Sequence, residues 1–388
     1  MTANVKNIFT VITEYLSLAT NKVKNKNILI VGDGDFSFTK VLAGGTLGDF
    51  GRNIVATSFD TYDDLVRKYT LPLMTETLTE LKNNGVEVHH GVDATNLNKT
   101  LNLDNNNTFT IAEDDDRKLA SVDNNNDGVG IDDNTTVDDE KKQGMANNNN
   151  NNNNNVNQVK LFEKIIFNFP HQGGKSNIKR SRKLLVDFFA SAKQKLEPDG
   201  DILITLATGQ GGTKFETLKR KYGDTWQIIE AAASSNFILT DCFKWENLEG
   251  YNSSGYRSSS RNFRTRDGVT HIFSLDNLGK IDLQPLTWKH DLSIWVLKED
   301  LFDEEELKLK IKNIAGNDNI ERIDCIDTLR VTPRDESING TNKTLTNCYT
   351  IIYQNNNNKA LSKRRCLDLQ LQVRADLGER MNNIVSVR

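Results

Sequence analysis

The residues of this chain with the clearest chemical signature lie in segment 28–38, which reads ILIVGDGDFSF. An apolar run rich in β-branched residues ends abruptly at Gly32 and Gly34, which is how a buried parallel strand ends at a nucleotide. Because neither glycine has a Cβ, the backbone can approach a ligand closely. The second half of a G-x-G-x-x-G motif is missing, which weakens the case for a dinucleotide. We predict a nucleotide-type cofactor bound by Gly32, Asp33, Gly34, Asp35, Phe36 and Ser37.

Two further acidic residues follow the next two predicted strands. Asp60 ends a strand predicted over 53–59, where an acid can accept both hydroxyls of an adenosine ribose. The alternative for Asp60 is an N-cap of the following helix. Asp93 and Ala94 lie in the exit loop of the third strand, where Asp93 can accept the adenine amino group or simply cap the loop.

The fourth predicted strand, 164–168, runs into Asn168, Phe169, Pro170 and His171. Pro170 stiffens this loop, Phe169 can stack on a planar base, and Asn168 or His171 can bond to the edge of that base. This loop favours methyl transfer from S-adenosylmethionine over hydride transfer from a nicotinamide. Methyl transfer to a nitrogen also requires a general base that removes a proton from the acceptor. Because the unperturbed side-chain pKa of histidine lies near neutrality, His171 is the leading candidate for this general base, although it could equally orient the loop.

Basic residues near this loop predict contacts with RNA. Lys175, Lys179, Arg180 and Arg182 follow it and can hold phosphates, although a solvated helix face would look the same. Segment 250–266 interleaves arginines with aromatic residues and is nearly free of acids, a combination that suits phosphates and bases. A flexible solvated loop is the alternative. The candidates in this segment are Tyr256, Arg257, Arg261 and Arg264.

These residues require a scaffold of alternating strands and helices. We predict helices over 38–47, 62–82, 178–196 and 225–234, and further strands over 202–206, 237–243 and 269–275. This alternation predicts an α/β fold with a doubly wound, Rossmann-like parallel sheet over residues 26–283. Residues 1–25 predict an amphipathic lead-in helix.

An insertion interrupts this scaffold at about residues 98–158. Within it, residues 113–142 carry 11 acidic and four basic residues, and residues 147–155 are nine consecutive asparagines. Few apolar side chains are present to offset the entropy of ordering, so we expect disorder. The net charge of −4 is therefore concentrated in the insertion, and the rest of the chain is net basic.

The composition narrows the class of protein. The four cysteines are scattered without a C-x-x-C pair, so neither a zinc site nor a disulfide framework is indicated, and we predict no metal. No apolar segment reaches the roughly 20 residues that span a bilayer, and no signal peptide is evident. We expect an intracellular soluble protein of the cytoplasm, with the nucleus or nucleolus as the other compartment, and the oligomeric state is not readable.

The C-terminal residues 285–388 predict a second domain. Strands over 292–297, 320–327, 348–353 and 384–387, with helices beginning near Asp303 and Ser362, give the order βαββαβ. This order is ferredoxin-like, an α+β architecture. The segment contains no catalytic constellation, so binding is its expected role.

Several motifs in one order resemble the eukaryotic ribosomal-RNA uridine-N3 methyltransferase family. They are GDGDFSF at 32–38, TSFD at 57–60, VDAT at 92–95 and NFPHQGG at 168–174. After Gly209 and Gln210 the family often has an aromatic residue, whereas this chain has Gly211 and Gly212. The resemblance implies methylation of N3 of a uridine in ribosomal RNA with S-adenosylmethionine, on a base that is unpaired or flipped.

The C-terminal part is similar to the ferredoxin-fold anticodon-binding domain of phenylalanyl-tRNA synthetases, through HDLSIWV at 290–296 and ALSKRRCLDLQLQVR at 360–374. The whole chain resembles the ferredoxin-fold anticodon-binding domain-containing protein family, which implies tRNA as a further partner. The alternatives are a non-catalytic tRNA-binding protein that keeps a methyltransferase-like scaffold and, more distantly, a dehydrogenase.

Overall fold

A computed structural model describes residues 7–8, 10–12, 14, 27–44, 48–103, 160–173, 177–253, 263–331 and 344–388. From residue 104 onward, the predicted insertion lies outside the described residues. So do Lys175, Tyr256, Arg257 and Arg261.

The first sheet has seven strands: β1 (Ile28–Val31), β2 (Ile54–Thr57), β3 (Glu87–His89), β4 (Phe162–Asn168), β5 (Leu196–Leu206), β6 (Phe237–Lys244) and β7 (Val269–Leu275). Their spatial order is β3-β2-β1-β4-β5-β7-β6. The first five strands of that order are parallel, and β7 runs antiparallel to both β5 and β6. The chain reverses its direction of winding between β1 and β4, the switch point at which open α/β sheets bind ligands.

Helices cover both faces of this sheet. They are α1 (Ser37–Gly44), α2 (Tyr62–Tyr69), α3 (Leu71–Asn83), α4 (Leu97–Thr100), α5 (Ile178–Lys193) and α6 (Ile228–Ala233). Successive residues of β1 alternate between two cores: Leu29 and Val31 pack with α5 and α6, and Ile28 and Ile30 pack with α1 and α3. Burial of β1 on both faces explains its uninterrupted apolar sequence. The predicted doubly wound α/β fold is confirmed.

One helix predicted as continuous is interrupted in the structure. The helix predicted over 62–82 is two helices, α2 and α3, which meet at Thr70 with φ +75°. Pro72 occupies the first turn of α3, where its missing N–H costs nothing, but the same proline cannot continue a helix from the preceding turn. The break turns α2 so that Lys68 faces the end of β2.

The second sheet is antiparallel and has the order β11-β8-β10-β9. Its elements are β8 (Trp288–Val296), α7 (Glu304–Ala315), β9 (Ile320–Val331), β10 (Thr344–Tyr353), α8 (Lys363–Arg380) and β11 (Val385–Val387). Both helices pack on one face, over a core that includes Leu292, Ile294 and Tyr349. This arrangement confirms the ferredoxin-like βαββαβ prediction. Among the described residues, no helix combines the length and the apolar character needed to cross a membrane.

Candidate active site

A cavity of about 570 Å³ lies at the carboxyl ends of β1, β2 and β4, on both sides of the switch point. Its volume is typical of sites for small molecules. The sequence-predicted residues on its wall are Gly32, Asp33, Gly34, Asp35, Asp60, Asp93, Ala94, Asn168, Phe169, His171 and Arg180. Residues predicted separately, from four different loops, therefore meet at one cavity.

The glycine turn after β1 forms the floor of the cavity. Gly32 has φ +65°, and a Cβ at this position would lie 2.9 Å from Cε2 of Phe167 on the neighbouring strand. Both the conformation and the close approach require glycine. Phe36 and Ser37 do not line the cavity, in contrast to the prediction. Phe36 is fully buried, with its ring edge-on to the ring of His90 at a centroid distance of 5.5 Å.

Asp33 is a buried carboxylate that holds the start of α1. Its Oδ2 accepts hydrogen bonds from the backbone N of Thr39 at 2.7 Å and from the Thr39 hydroxyl. Burial raises the pKa of the Asp33 carboxyl to about 7, and the neighbouring Asp35 adds to the shift. The carboxylate is therefore engaged by the protein itself, although Asp33 also lies on the cavity wall.

Asp60 and Asp93 lie on the same cavity beyond β2 and β3. Both carboxylate oxygens of Asp60 accept from Nζ of Lys68, each at 2.6 Å. The alternative role of Asp60 as a helix N-cap is wrong, because Thr61 caps α2. Asp93 does cap its loop: its Oδ1 accepts from the backbone N and the hydroxyl of Thr95 at 2.8 and 2.7 Å. Capping and a cavity-facing position are therefore compatible in Asp93.

Asn168 ends β4 and presents an unsatisfied donor. Its Oδ1 accepts from the Thr205 hydroxyl at 2.7 Å, and that hydroxyl lies 2.9 Å from the hydroxyl of Thr270. Its Nδ2 is buried and has no hydrogen-bond partner among the described residues. A buried amide N–H without a partner is costly, so such groups mark positions where a ligand is expected to bond.

The loop after Asn168 has two fixed side chains. Phe169 lies on the cavity wall with φ +47°, and its ring packs against those of Trp245 and Phe263 at 5.1 and 5.6 Å. Nδ1 of His171 accepts from the backbone N of Gly173 at 2.8 Å, and burial lowers the pKa of His171. The neutral tautomer that accepts at Nδ1 carries its proton on Nε2. A neutral His171 with its proton on Nε2 and its Nδ1 occupied by Gly173 does not suit the predicted role as base. Pro170 is buried and does not line the cavity.

Residues 251–253 close the cavity on the side of the glycine turn, and sequence reasoning did not assign them to the site. The Asn252 backbone N donates to the Ser37 hydroxyl at 3.0 Å, and this hydroxyl donates to the Asn252 carbonyl at 3.1 Å. The Tyr251 ring packs edge-on against Phe38 and Trp245 at 6.0 and 5.6 Å. The aromatic residues of segment 250–266 were a signal for such a contact, whereas nothing local marks Trp245.

The predicted RNA-binding cations that the structure describes have different environments. Lys179 and Arg264 are exposed, and Arg180 lies on the cavity wall. Arg182 differs, because its guanidinium donates to the carbonyls of Gly223 at 2.6 Å and Thr225 at 2.8 Å. Arg182 thus holds the loop after β5 in place, and its donors are not directed at an RNA phosphate.

The sequence profile of the BMT5-like family, described as rRNA (uridine-N3-)-methyltransferase BTM5-like, matches residues 29–255. The chain is similar to a ferredoxin-fold anticodon-binding domain-containing protein 1 homolog of Mus musculus, with 30% identity over 68% of this chain and 33% of the mouse protein. The chain spans about a third of the length of the mouse and human relatives.

Two other similarities are more distant. The 25S rRNA (uridine(2634)-N(3))-methyltransferase of Saccharomyces cerevisiae is 24% identical over 67% of this chain and 77% of the yeast protein. An S-adenosylmethionine-dependent methyltransferase structure from Clostridium acetobutylicum has 10% identity and a TM-score of 0.31, over 71% of this chain and 93% of that chain.

Proposed function

We propose that this chain, which belongs to the BMT5-like family of rRNA (uridine-N3-)-methyltransferases, methylates N3 of a uridine in ribosomal RNA. In this proposal, residues 26–283 are the methyltransferase domain and residues 285–388 are an RNA-binding domain. A ribosomal RNA substrate is consistent with the cytoplasm or the nucleolus. The observation that carries the proposal is the Asn168 Nδ2 group, which has no partner among the described residues, in a residue that lines the same cavity as the glycine turn.

The cofactor side of the cavity fits S-adenosylmethionine. Gly32 leaves no room for a side chain, and the cavity wall includes Gly34 and Asp35 beside it. Asp60 would accept the ribose hydroxyls, and Asp93 with Ala94 would hold the adenine. When bound, S-adenosylmethionine supplies an electrophilic methyl group on a sulfonium.

The substrate side fits an unpaired uracil. N3 of uracil lies between two carbonyl oxygens and carries an imide proton. As N3 bonds to the methyl group and the sulfonium–methyl bond breaks, this proton would pass to solvent water. Nδ2 of Asn168 would donate to one of these oxygens, and charge that develops on it is stabilised by such a fixed donor. The Phe169 and Phe263 rings would stack on a base that has left its own stack.

The test is methyl transfer by the purified chain to RNA extracted from cells that lack its gene. We expect 3-methyluridine in the nucleosides of ribosomal RNA by mass spectrometry, and S-adenosylmethionine binding by calorimetry. Cofactor binding without any new methylated nucleoside would support the alternative of a non-catalytic RNA-binding protein. Absence of both would overturn the proposal.

One face of the second sheet supports the proposal that tRNA is a further partner. With both helices on one face of this sheet, Trp295 lies on the other face, and the Arg388 guanidinium stacks over its ring at 5.3 Å. An aromatic ring beside a cation suits the base and phosphate of a nucleotide. Binding of purified tRNA should be weaker in Trp295→Ala than in the unmodified chain. Unchanged tRNA binding in this variant would exclude this face as the tRNA-binding surface.

A further inference from the structure

Residues 214–222, which read KFETLKRKY, form a basic and aromatic surface outside the cavity. The four cations Lys214, Lys219, Arg220 and Lys221 are exposed. Between them Phe215, Leu218 and Tyr222 are 36%, 47% and 41% exposed. We propose that this surface docks the single-stranded RNA that flanks the target base. The inference rests on the proposed function and adds to it a contact outside the cavity.

The one acidic residue of the segment is removed from its surface. Glu216 is 4% exposed, and its carboxylate accepts from the backbone N of Gly209, from that of Gly211 at 2.6 Å, and from that of Gly212 at 3.2 Å. Successive backbone N–H groups of this kind form an anion-binding nest. The carboxylate anchors the segment from inside, so it does not interrupt the exposed basic surface.

The same nest explains why Gly211 and Gly212 replace the aromatic residue that is frequent in the family. A Cβ at Gly211 would lie 2.4 Å from Oε1 of Glu216, and one at Gly212 would lie 2.4 Å from Oγ1 of Thr225. A larger residue at Gly211 would displace the Glu216 carboxylate, and one at Gly212 would displace the Thr225 side chain. The chain therefore has a different contact surface at this point, built from residues 214–222.

The cations of the segment are available for phosphates. Within the part of the chain that the structure describes, none of the four has a carboxylate within ion-pair distance. Nζ of Lys214 lies over the ring of Phe215 at 5.2 Å, and Nζ of Lys219 donates to the Lys214 carbonyl. The nearest exposed acid along the chain, Asp224, follows the segment. Cations interleaved with aromatic rings suit RNA better than an acidic protein, because bases stack on such rings.

The segment follows a strand that ends at the same edge of the sheet as the cavity. That strand, β5, is parallel to β4, which ends in Asn168. Arg182 binds the carbonyls of Gly223 and Thr225, and two residues earlier on α5 Arg180 lies on the cavity wall. A strand of RNA with one base in the cavity can therefore reach the 214–222 segment by way of Arg180.

The experiment compares two double variants of the full chain, each losing one arginine and one lysine. Arg220→Gln/Lys221→Gln removes charge from the segment. Arg52→Gln/Lys82→Gln removes it from the exposed opposite edge of the sheet, at the amino ends of β2 and β3. Binding of a fluorescent single-stranded oligouridine of about 20 nucleotides is measured by anisotropy between 50 and 200 mM salt.

We expect at least about fivefold weaker binding for the segment variant, and a log–log salt dependence shallower by about 1.4, since each single-strand phosphate contact contributes about 0.7. The control variant should bind as the unmodified chain does. Phe215→Leu should weaken binding about fivefold without changing the salt slope, because it removes stacking and no charge. Unchanged thermal unfolding and S-adenosylmethionine binding exclude a folding defect in each variant.

Equal affinities for the two double variants would overturn the proposed surface, whether or not the protein methylates RNA. A segment-dependent affinity without methyl transfer would retain the surface and overturn the proposed function. No binding of RNA by the unmodified chain would overturn both. Failure of the inference and failure of the function are therefore distinguishable.

Discussion

The two walls of the cavity differ in whether their polar groups already have hydrogen-bond partners within the protein. On the wall around the glycine turn, three carboxylates already have donors from the protein: Asp33 from Thr39, Asp60 from Lys68 and Asp93 from Thr95. On the wall formed by β4, the Asn168 amide keeps a buried N–H without a partner among the described residues. We call the first wall completed, because its carboxylates have partners within the protein, and the second wall incomplete, because it keeps a donor without one.

This difference matches the chemistry expected of each wall. A cofactor that every reaction uses can be bound by groups whose positions the fold has already fixed, at little further entropic cost. A substrate base is best distinguished by a donor that only the correct carbonyl oxygen satisfies, because a wrong base leaves that donor buried and unpaired. The free protein then carries an unsatisfied N–H, a cost of about 1–3 kcal/mol, until substrate binds.

The largest expected effect concerns the completed wall, at Asp33. Its pKa of about 7 in the folded chain lies above the unfolded value near 3.8, so the folded state binds the proton more tightly. The free energy of unfolding should therefore fall as pH rises from about 4 to about 7, by up to roughly 4 kcal/mol from this group. His90 and His271, whose pKa burial lowers to about 4, act in the opposite direction over this range. Urea unfolding at pH 4.5, 6 and 8 should therefore show the fall as the difference in free energy of unfolding between the unmodified chain and Asp33→Asn.

The control for Asp33 is Asp199→Asn, at an exposed position near the start of β5. Asp35 and Tyr251 face Asp33 and remain in both variants. If Asp33→Asn and Asp199→Asn had the same pH dependence, the buried carboxylate would not be the source of the fall.

The next effect concerns the incomplete wall. Asn168→Ala should lower kcat about 10²–10³-fold, the usual result of losing one donor to a developing oxyanion. Its S-adenosylmethionine affinity should be unchanged. Its stability should fall by about 1 kcal/mol, because Oδ1 loses the hydrogen bond from Thr205, whereas the lost N–H has no partner among the described residues. Gln172→Ala is a matched control, since it removes another amide from the same wall and loop. Equal losses in the two variants would remove the distinction between the walls.

The architecture and most residues of the cavity wall could be predicted from the sequence, because these residues lie in loops that directly follow apolar strands. β1 is recognisable from its β-branched run, and parallel strands bring their carboxyl ends to one edge. The prediction therefore needed no knowledge of side-chain contacts to bring Asp60, Asp93 and Asn168 together.

What the sequence did not predict depends on contacts between distant residues. Arg182 looked like an RNA ligand until its guanidinium was found on carbonyls more than 40 positions away. His171 looked like a base, and the hydrogen bond from Gly173 makes it a donor. Glu216 is one acid in a basic run, and only the folded glycine loop makes it an internal anchor.

The third effect is indirect and concerns Thr205. Its hydroxyl donates to Oδ1 of Asn168 and so restrains the orientation of the amide that carries Nδ2. Thr205→Val should lower kcat about five- to tenfold, in line with about 1 kcal/mol for the lost hydrogen bond, and leave KM unchanged. Thr205→Ser should restore kcat, and Thr205→Val should have no further effect on an Asn168→Ala background. Additive losses would mean that Thr205 acts independently of Asn168.

The smallest effect returns to the completed wall, at Lys68. This lysine holds both oxygens of Asp60, but the pair is partly exposed, so its contribution is about 0.5–1 kcal/mol. Lys68→Met should weaken S-adenosylmethionine binding by no more than about fivefold, through greater rotamer freedom of Asp60, whereas Asp60→Ala should weaken it more. On the Asp60→Ala background, Lys68→Met should have no effect if the lysine acts only through the aspartate. A further loss of affinity in the double variant, measured by calorimetry, would mean that Lys68 contacts the cofactor itself, and that this wall also has a group waiting for its ligand.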